Sequence, residues 1–207
     1  IFFHSICLKI FGYAGFLIVE FLAIFAFLII FYKIFSYFFS KNESILLSLL
    51  FFSIPSIISI LNIESLPYIN LLKSEFYTLR IPRPIISGLY LFSFLYLIVS
   101  MDKGEIFTKK KSILLGIILG FSLSSVYHFF FIEISSFLIF LVYKFKSNIL
   151  KKIIENYKNI LLSIFFFLLS ILPFLLILLY HEEDLSGRAG VFQLNFEKKK
   201  ILLEHYL

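Results

Sequence analysis

Long apolar runs separated by short polar segments dominate this chain. A membrane-spanning helix needs about 20 mostly apolar residues, and five runs approach or exceed that length, at residues 10–39, 45–61, 85–100, 112–143 and 160–180. Prolines inside such runs are compatible with spanning helices when neighbouring groups satisfy the freed carbonyl oxygens. The pattern therefore predicts an all-α, polytopic transmembrane helical bundle.

The run at residues 112–143 is too long for one crossing. A helix of 32 residues would measure about 48 Å, against a hydrocarbon core of about 30 Å. Polar side chains cluster in its middle and indicate a break near residues 128–133: Ser122, Ser124, Ser125, Tyr127, His128 and Glu133. We therefore predict about six crossings, at residues 14–36, 45–61, 85–100, 112–127, 130–143 and 160–180.

The lysine distribution independently favours six crossings. Cytoplasmic loops collect Lys and Arg, and six crossings place ten lysines on one side, in loops 40–44, 101–111 and 144–159. The other side receives four basic residues near the membrane, in outward loops 62–84 and 181–200. That side also receives the break near 128–133, and with it most of the acidic and histidine side chains. In residues 144–159 lysines alternate with isoleucines, which fits an interfacial amphipathic helix or a solvated loop equally well.

Composition excludes a soluble domain and narrows the chemistry. Hydrophobic residues make up 60% of the 207 positions and charged residues 15%, which is far from the balance of a soluble protein. Because Cys7 is the single cysteine of the sequence, an intramolecular disulfide and a cysteine metal cluster are excluded. We interpret Cys7 as a buried apolar side chain. The net charge of +6 is interpreted as a topology signal, so no nucleic-acid partner is predicted. Because the chain begins at Ile1 and ends at Leu207 within apolar runs, we interpret it as a fragment of a larger protein.

Carboxylates within apolar runs are candidate functional groups. Glu20 and Glu133 are two such residues, and a charge at membrane depth costs about 2.5 to 3.5 kcal/mol. Either could instead lie at the membrane interface, where the cost is small. In a continuous helix His128 and Glu133 would point to different faces, whereas around a break both would line one outward pocket. There His128 would supply acid-base chemistry and Glu133 a base or metal ligand. The alternative is that His128 is only a polar residue at the membrane interface.

Basic side chains near the outward loops are candidate phosphate ligands. Pro82 and Pro84 hold the chain extended before the third crossing, which fixes Arg80 and Arg83 at the interface. Guanidinium groups grip phosphate bidentately, although headgroup anchoring is an equally good interpretation. The HEEDLSGRAG segment adds Arg188 as a third candidate. Its acidic residues lack EF-hand spacing, so we predict no metal site.

The order of these parts resembles bacterial polytopic membrane glycosyltransferases of the GT-C fold class. The parts are a helical pair joined by KNES, the RIPRPIISGLYLF elbow, the KKKSILLGIILGFSLSSVYHFFF segment and an outward loop with GRAG. The resemblance implies sugar transfer from a polyprenyl-phosphate donor at the extracytoplasmic face of the bacterial inner membrane, in envelope polysaccharide assembly. It also implies an acidic base, which in this family usually lies in the first outward loop and need not be in this fragment.

Carried over by position, the resemblance makes Arg80, Arg83 and Arg188 ligands of the donor phosphate and places Glu133 and His128 at the acceptor site. It assigns no cofactor. The SGRAG loop is also similar to O-antigen polymerases and ligases. A secondary transporter or flippase is a further alternative, in which Glu20, Glu133 and His128 form an ion or proton path. The last alternative is a non-catalytic subunit of a membrane assembly. Walker, zinc-protease, nucleophile-elbow and dinucleotide motifs are absent from the sequence.

Overall fold

A computed structural model describes residues 2–60, 84–125 and 127–180. Within these ranges the secondary structure is helical and contains no strand, which confirms the predicted all-α class. The helices are α1 Phe2–Phe11, α2 Ala14–Phe35, α3 Lys41–Ile60, α4 Pro84–Asp102, α5 Lys109–Ser125, α6 Tyr127–Phe145, α7 Ile149–Glu155 and α8 Tyr157–Tyr180, with a 3₁₀ turn at Lys146–Asn148 between α6 and α7.

The long run at residues 112–143 is divided into two helices, as its length required. Helix α5 ends at Ser125 and α6 begins at Tyr127, so the predicted position of the break, at 128–133, is wrong by a few residues. Near the end of α5, the Ser124 hydroxyl donates to the carbonyl oxygen of Phe121 at 3.0 Å, a local bond that competes with helix continuation. Residues 128–133 instead lie inside α6.

The beginning of α3 also differs from the prediction. Residues 40–44 were predicted to be a loop, but Lys41 begins the helix. The side chain of Glu43 accepts hydrogen bonds from the Ser40 backbone N–H at 2.9 Å and from the Ser40 hydroxyl at 2.7 Å, which is half of a capping box. These two bonds lower the pKa of the Glu43 carboxyl. The KNES segment therefore forms the first helical turn.

Helix α1 was not predicted, because the apolar run gives no sign of an interruption other than Gly12. Gly12 lies between α1 and α2 with φ of +59°, a left-handed conformation that glycine adopts without the steric cost of a Cβ. The turn at Gly12 therefore separates α2 from α1, most of which precedes the apolar run that begins at residue 10.

Three helical stretches of the described residues are long and apolar enough to cross a membrane. They are Leu17–Phe35 in α2, Tyr127–Glu155 from α6 through α7, and Tyr157–Leu176 in α8. Helix α4 contributes a shorter apolar stretch, Ile86–Asp102. Large apolar side chains are exposed on these helices, such as Phe21 and Ile139, which suits a surface surrounded by lipid tails. The total of six crossings stays a prediction.

Two apolar clusters connect the helices. In the first, Phe27 and Phe31 of α2 pack against α3 and α4, and the rings of Phe31 and Phe92 meet edge to face at 4.9 Å between centroids. Such edge-to-face pairs add to the stability gained from burial. The second, which we call the central apolar cluster, joins α4, α5 and α6 through buried residues that include Leu97 and Leu141. Helix α4 is therefore shared by both clusters.

The three predicted cytoplasmic segments, 40–44, 101–111 and 144–159, lie at one end of the helices, which we call the basic end. There, the Lys103 ammonium lies 5.0 Å from the ring centroid of Phe38, in the α2–α3 turn. Lys144 at the end of α6 bonds to the Asp102 carboxylate at 2.8 Å. This exposed ion pair lowers the pKa of Asp102, chiefly through the hydrogen bond from Lys144. The charge asymmetry of the sequence thus corresponds to a geometric grouping of the loops.

The other end, which we call the opposite end, comprises the start of α4, the end of α5 and the start of α6. The hydroxyls of Ser87 and Ser125 lie 2.7 Å apart, which joins the start of α4 to the end of α5. Since α4 and α5 run in opposite directions, the Ser125–Tyr127 junction lies away from the basic end.

The grouping of loops predicts which positions share a compartment. With Cys7 replaced by alanine, single cysteines at the exposed positions Asn42, Lys103 and Ser147 should react with a membrane-impermeant maleimide from one side only. A cysteine at the exposed position His128 should react only from the other side, because α6 carries the chain between the two ends. Labelling of positions 128 and 147 from the same side would contradict this arrangement.

Candidate functional site

The largest fully buried polar side chain among the described residues is that of Glu133 in α6. Its side chain is 0% exposed and its Oε1 accepts a hydrogen bond from the Ser122 hydroxyl at 2.9 Å. Its Oε2 is buried and has no hydrogen-bond partner among the described residues. A buried polar atom without a partner is costly, and such atoms often mark functional positions.

The α5–α6 hairpin places these two residues together. Ser122 lies in the last turn of α5 and is 1% exposed, while Glu133 lies eleven residues later in the antiparallel helix. On α6, Phe130, Phe137 and Leu141 join or pack against the central apolar cluster. Glu133 falls among them at spacings of three or four residues, which places all four on one helical face. Glu133 therefore occupies a position where a core side chain would normally lie.

Further hydroxyls lie between this carboxyl and the opposite end. Ser122 and Ser125 are three residues apart on α5, and so they lie on the same side of the helix, separated by about 4.5 Å along its axis. Ser125 in turn contacts Ser87 of α4 at 2.7 Å. Hydroxyls from two helices, α4 and α5, thus extend from the opposite end toward Glu133 on α6.

His128 does not share a site with Glu133. Both residues lie in α6 and are five residues apart, which separates their directions by about 140° around the helix. His128 is exposed, and its ring centroid lies 3.8 Å from that of Tyr127. A common pocket around a helix break is therefore wrong, because the break precedes both residues.

The other predicted site residues are distributed as follows. Arg80, Arg83 and Arg188 lie outside the described residues, as does the acidic HEED segment. Pro84, which follows Arg83 in the chain, begins α4 three residues before Ser87. Glu20 is half-buried on α2. Within the described ranges, no group of three or more His, Cys, Asp or Glu side chains is arranged to hold a metal ion.

Sequence reasoning missed a close contact between α5 and α8. Gly116 and Gly120 are four residues apart, the spacing of small residues that lets two membrane helices approach closely. A Cβ added at Gly116 would collide with the carbonyl oxygen of Ser163, and one at Gly120 would lie 2.7 Å from the Cβ of Ser170. The GIILG pattern is the signal that would have indicated this contact.

Helix α8 also reaches the neighbourhood of the buried carboxyl. The rings of Phe167 in α8 and Phe130 in α6 stack with centroids 5.8 Å apart, and Phe130 precedes Glu133 by one helical turn. The close α5–α8 contact and this ring pair bring α8 alongside the α5–α6 hairpin.

No family model, curated protein or solved structure matches the chain. The functional interpretation therefore depends on the residues and contacts described above. A carboxyl with one bonded and one unbonded oxygen can accept a proton from a substrate hydroxyl or carry a proton between two compartments. Both functions require access to Oε2, which is fully buried in this conformation.

Proposed function

We propose that the chain is part of an integral membrane glycosyltransferase of the bacterial inner membrane that transfers a sugar from a polyprenyl-phosphate donor during envelope polysaccharide assembly. The observation that carries this proposal is the unpartnered, buried Oε2 of Glu133. It lies on the side of the hairpin away from the lysine-rich basic end. If the basic end is cytoplasmic, as the charge rule implies, the reaction takes place at the extracytoplasmic side.

In this proposal Glu133 is the base that activates the acceptor. Oε2 takes the proton of an acceptor hydroxyl, the hydroxyl oxygen attacks the anomeric carbon, and the bond from that carbon to the donor phosphate oxygen breaks. Attack from the face opposite the phosphate inverts the anomeric configuration. Ser122 positions the carboxyl through Oε1.

The departing lipid phosphate carries negative charge that needs nearby cations. Arg80 and Arg83 precede α4 in the chain, and the first turn of α4 contacts the end of α5 through Ser87 and Ser125. The proposal therefore assigns the donor phosphate to Arg80 and Arg83, with Arg188 as a third ligand. Preorganised cations at a developing charge lower the barrier because they need no reorganisation during the reaction.

Replacing Arg80 or Arg83 with glutamine tests the proposal. Each change removes a charge-assisted contact of about 1.5 to 3 kcal/mol, so sugar transfer in membranes should fall by about 10- to 100-fold for each. Transfer would be measured with a radiolabelled lipid-linked donor, and insertion by the protein content of carbonate-washed membranes. Lys73→Gln, in the same predicted outward loop, is the matched control and should retain transfer. Unchanged transfer in R80Q and R83Q would remove both arginines from the mechanism.

The complete enclosure of Glu133 favours a second function, that of a proton-coupled transporter or flippase. A carboxyl that is 0% exposed in one conformation suits a proton carrier that is opened alternately to each side. Reconstituted vesicles distinguish the two functions. A transporter moves its lipid or sugar substrate in response to an imposed pH gradient, whereas a glycosyltransferase forms product without a gradient.

A further inference from the structure

The connection between α6 and α8 is held at one end against the last residue of α4 and at the other against the loop that follows α4. Before the connection, Lys144 donates to the backbone carbonyl of Asp102 at 2.9 Å as well as to its carboxylate. After it, the Asn159 side-chain amide donates to the carbonyl oxygen of Phe107 at 2.6 Å. The short helix α7 therefore has a fixed place at the basic end.

Helix α7 has two apolar strips but only one is covered. Ile149 packs against the central apolar cluster, and Ile153 is half-buried one turn later. Leu150 and Ile154 form the neighbouring strip and are 72% and 70% exposed. Two large aliphatic side chains four residues apart lie on the same side of a helix, and here that side is largely exposed.

The surroundings of this strip are strongly basic. Residues 144–158 contain five lysines and one glutamate. The glutamate, Glu155, is paired with Lys152 at 2.7 Å, whereas Lys146 and Lys151 are exposed. On the helix, Lys151 follows the exposed strip by about 100°. An apolar strip bordered by lysines is the arrangement of helices that lie in the membrane interface.

A second feature marks the level of the interface at this end. The α2–α3 turn exposes three aromatic side chains, Tyr37, Phe38 and Phe39, and Lys103 lies over the Phe38 ring. Aromatic rings are enriched at membrane–water boundaries. Lys103 follows Asp102, which bonds to Lys144 just before α7. The turn and α7 therefore lie at the same end of the helices.

We propose that α7 is seated in the headgroup layer of an anionic phospholipid membrane. Leu150 and Ile154 enter the acyl boundary, while Lys146, Lys151 and Lys158 contact lipid phosphates. Anionic lipid is the partner favoured by the charge of the segment, since a zwitterionic surface offers no net attraction to lysines. This inference concerns the basic end and does not depend on the reaction at Glu133.

The test uses the full chain with Cys7→Ala, reconstituted in vesicles of phosphatidylcholine with or without phosphatidylglycerol. An environment-sensitive NBD dye at Leu150→Cys should emit at shorter wavelength than the same dye at the polar, exposed position Ser147→Cys. Nitroxide-labelled phosphatidylglycerol should quench the dye at position 150 more than nitroxide-labelled phosphatidylcholine does. Each of the substitutions Lys146→Gln, Lys151→Gln and Lys158→Gln should reduce the preference for quenching by phosphatidylglycerol by up to about fivefold.

Any of the following three results would overturn the proposal. Water-like emission at position 150 would make α7 a solvated segment. Blue-shifted emission without quenching by either lipid would indicate a protein partner. Equal quenching by both lipids that is insensitive to the lysine changes would show apolar insertion without recognition of anionic headgroups. Far-UV circular dichroism of each variant checks that the helices are retained, and so a folding failure is recognised separately.

Discussion

Replacing Gly116 with leucine is expected to detach α8 from α5 and to lower the stability of the protein by about 3 kcal/mol. At Gly116 even a Cβ collides with the backbone of Ser163, and the next nearest atom, the backbone nitrogen of Phe167, lies 2.9 Å away. Backbone atoms cannot move aside as the end of a flexible side chain can. The helices must therefore separate and lose the packing between them, which is the main attraction between helices in lipid.

The measurement is thermal unfolding of the purified protein in detergent, supported by disulfide cross-linking between cysteines on α5 and α8. Gly104→Ala is the matched control, because a Cβ there would have only ordinary contacts at 3.6 Å. Gly116→Ala should fall between the two. If Gly116→Leu unfolds at the same temperature as Gly104→Ala, the close α5–α8 contact does not exist in the folded protein.

The same contact shows why hydropathy predicts helices better than their packing. The run GIILG counts as an apolar stretch whichever helix it meets, so the prediction gave the approximate position of α5 but not its neighbour. Only the spacing of Gly116 and Gly120 carries information on close approach. The partner surface, with Ser163 and Ser170, has no comparable pattern in sequence and emerges only when the helices are placed side by side.

Helix boundaries were predictable where polarity changes sharply and less so where local hydrogen bonds decide. The predicted crossing at residues 14–36 agrees closely with α2, Ala14–Phe35. The prediction placed the start of α3 too late because Ser40 and Glu43 are polar, which is typical of a loop. In the structure these two residues together cap the helix. The turn at Gly12 was missed because its backbone conformation leaves no mark on hydropathy.

For the candidate site, helical periodicity was informative and the assumed break was misleading. Spacing alone puts His128 and Glu133 on different faces of one helix, and the structure does so. The inward direction of Glu133 was also available from its register with Phe130 and Phe137. The hydrogen bond between Glu133 and Ser122 could not be predicted from the sequence, because it depends on an α5–α6 turn that begins earlier than predicted.

Replacing Glu133 with glutamine is expected to abolish function while leaving the fold intact. Glutamine keeps an oxygen that accepts the Ser122 hydrogen bond, but it cannot take up a proton in the range where a carboxylate does. Loss of a general base should lower sugar transfer by about 10²- to 10⁴-fold. Glu20→Gln is the matched control, since Glu20 is a half-buried carboxylate in another apolar helix, and it should retain transfer.

A stability measurement separates a functional carboxyl from a structural one. Changing Glu133 to leucine together with Ser122→Ala removes the buried carboxyl and its hydrogen-bond donor at once, and replacing a buried polar pair by apolar groups is often neutral or stabilising. We expect this double variant to unfold at or above the temperature of the parent protein and to lack activity. A marked loss of stability, combined with normal transfer in E133Q, would instead make Glu133 a structural contact of the α5–α6 hairpin and would leave the proposed reaction without its base.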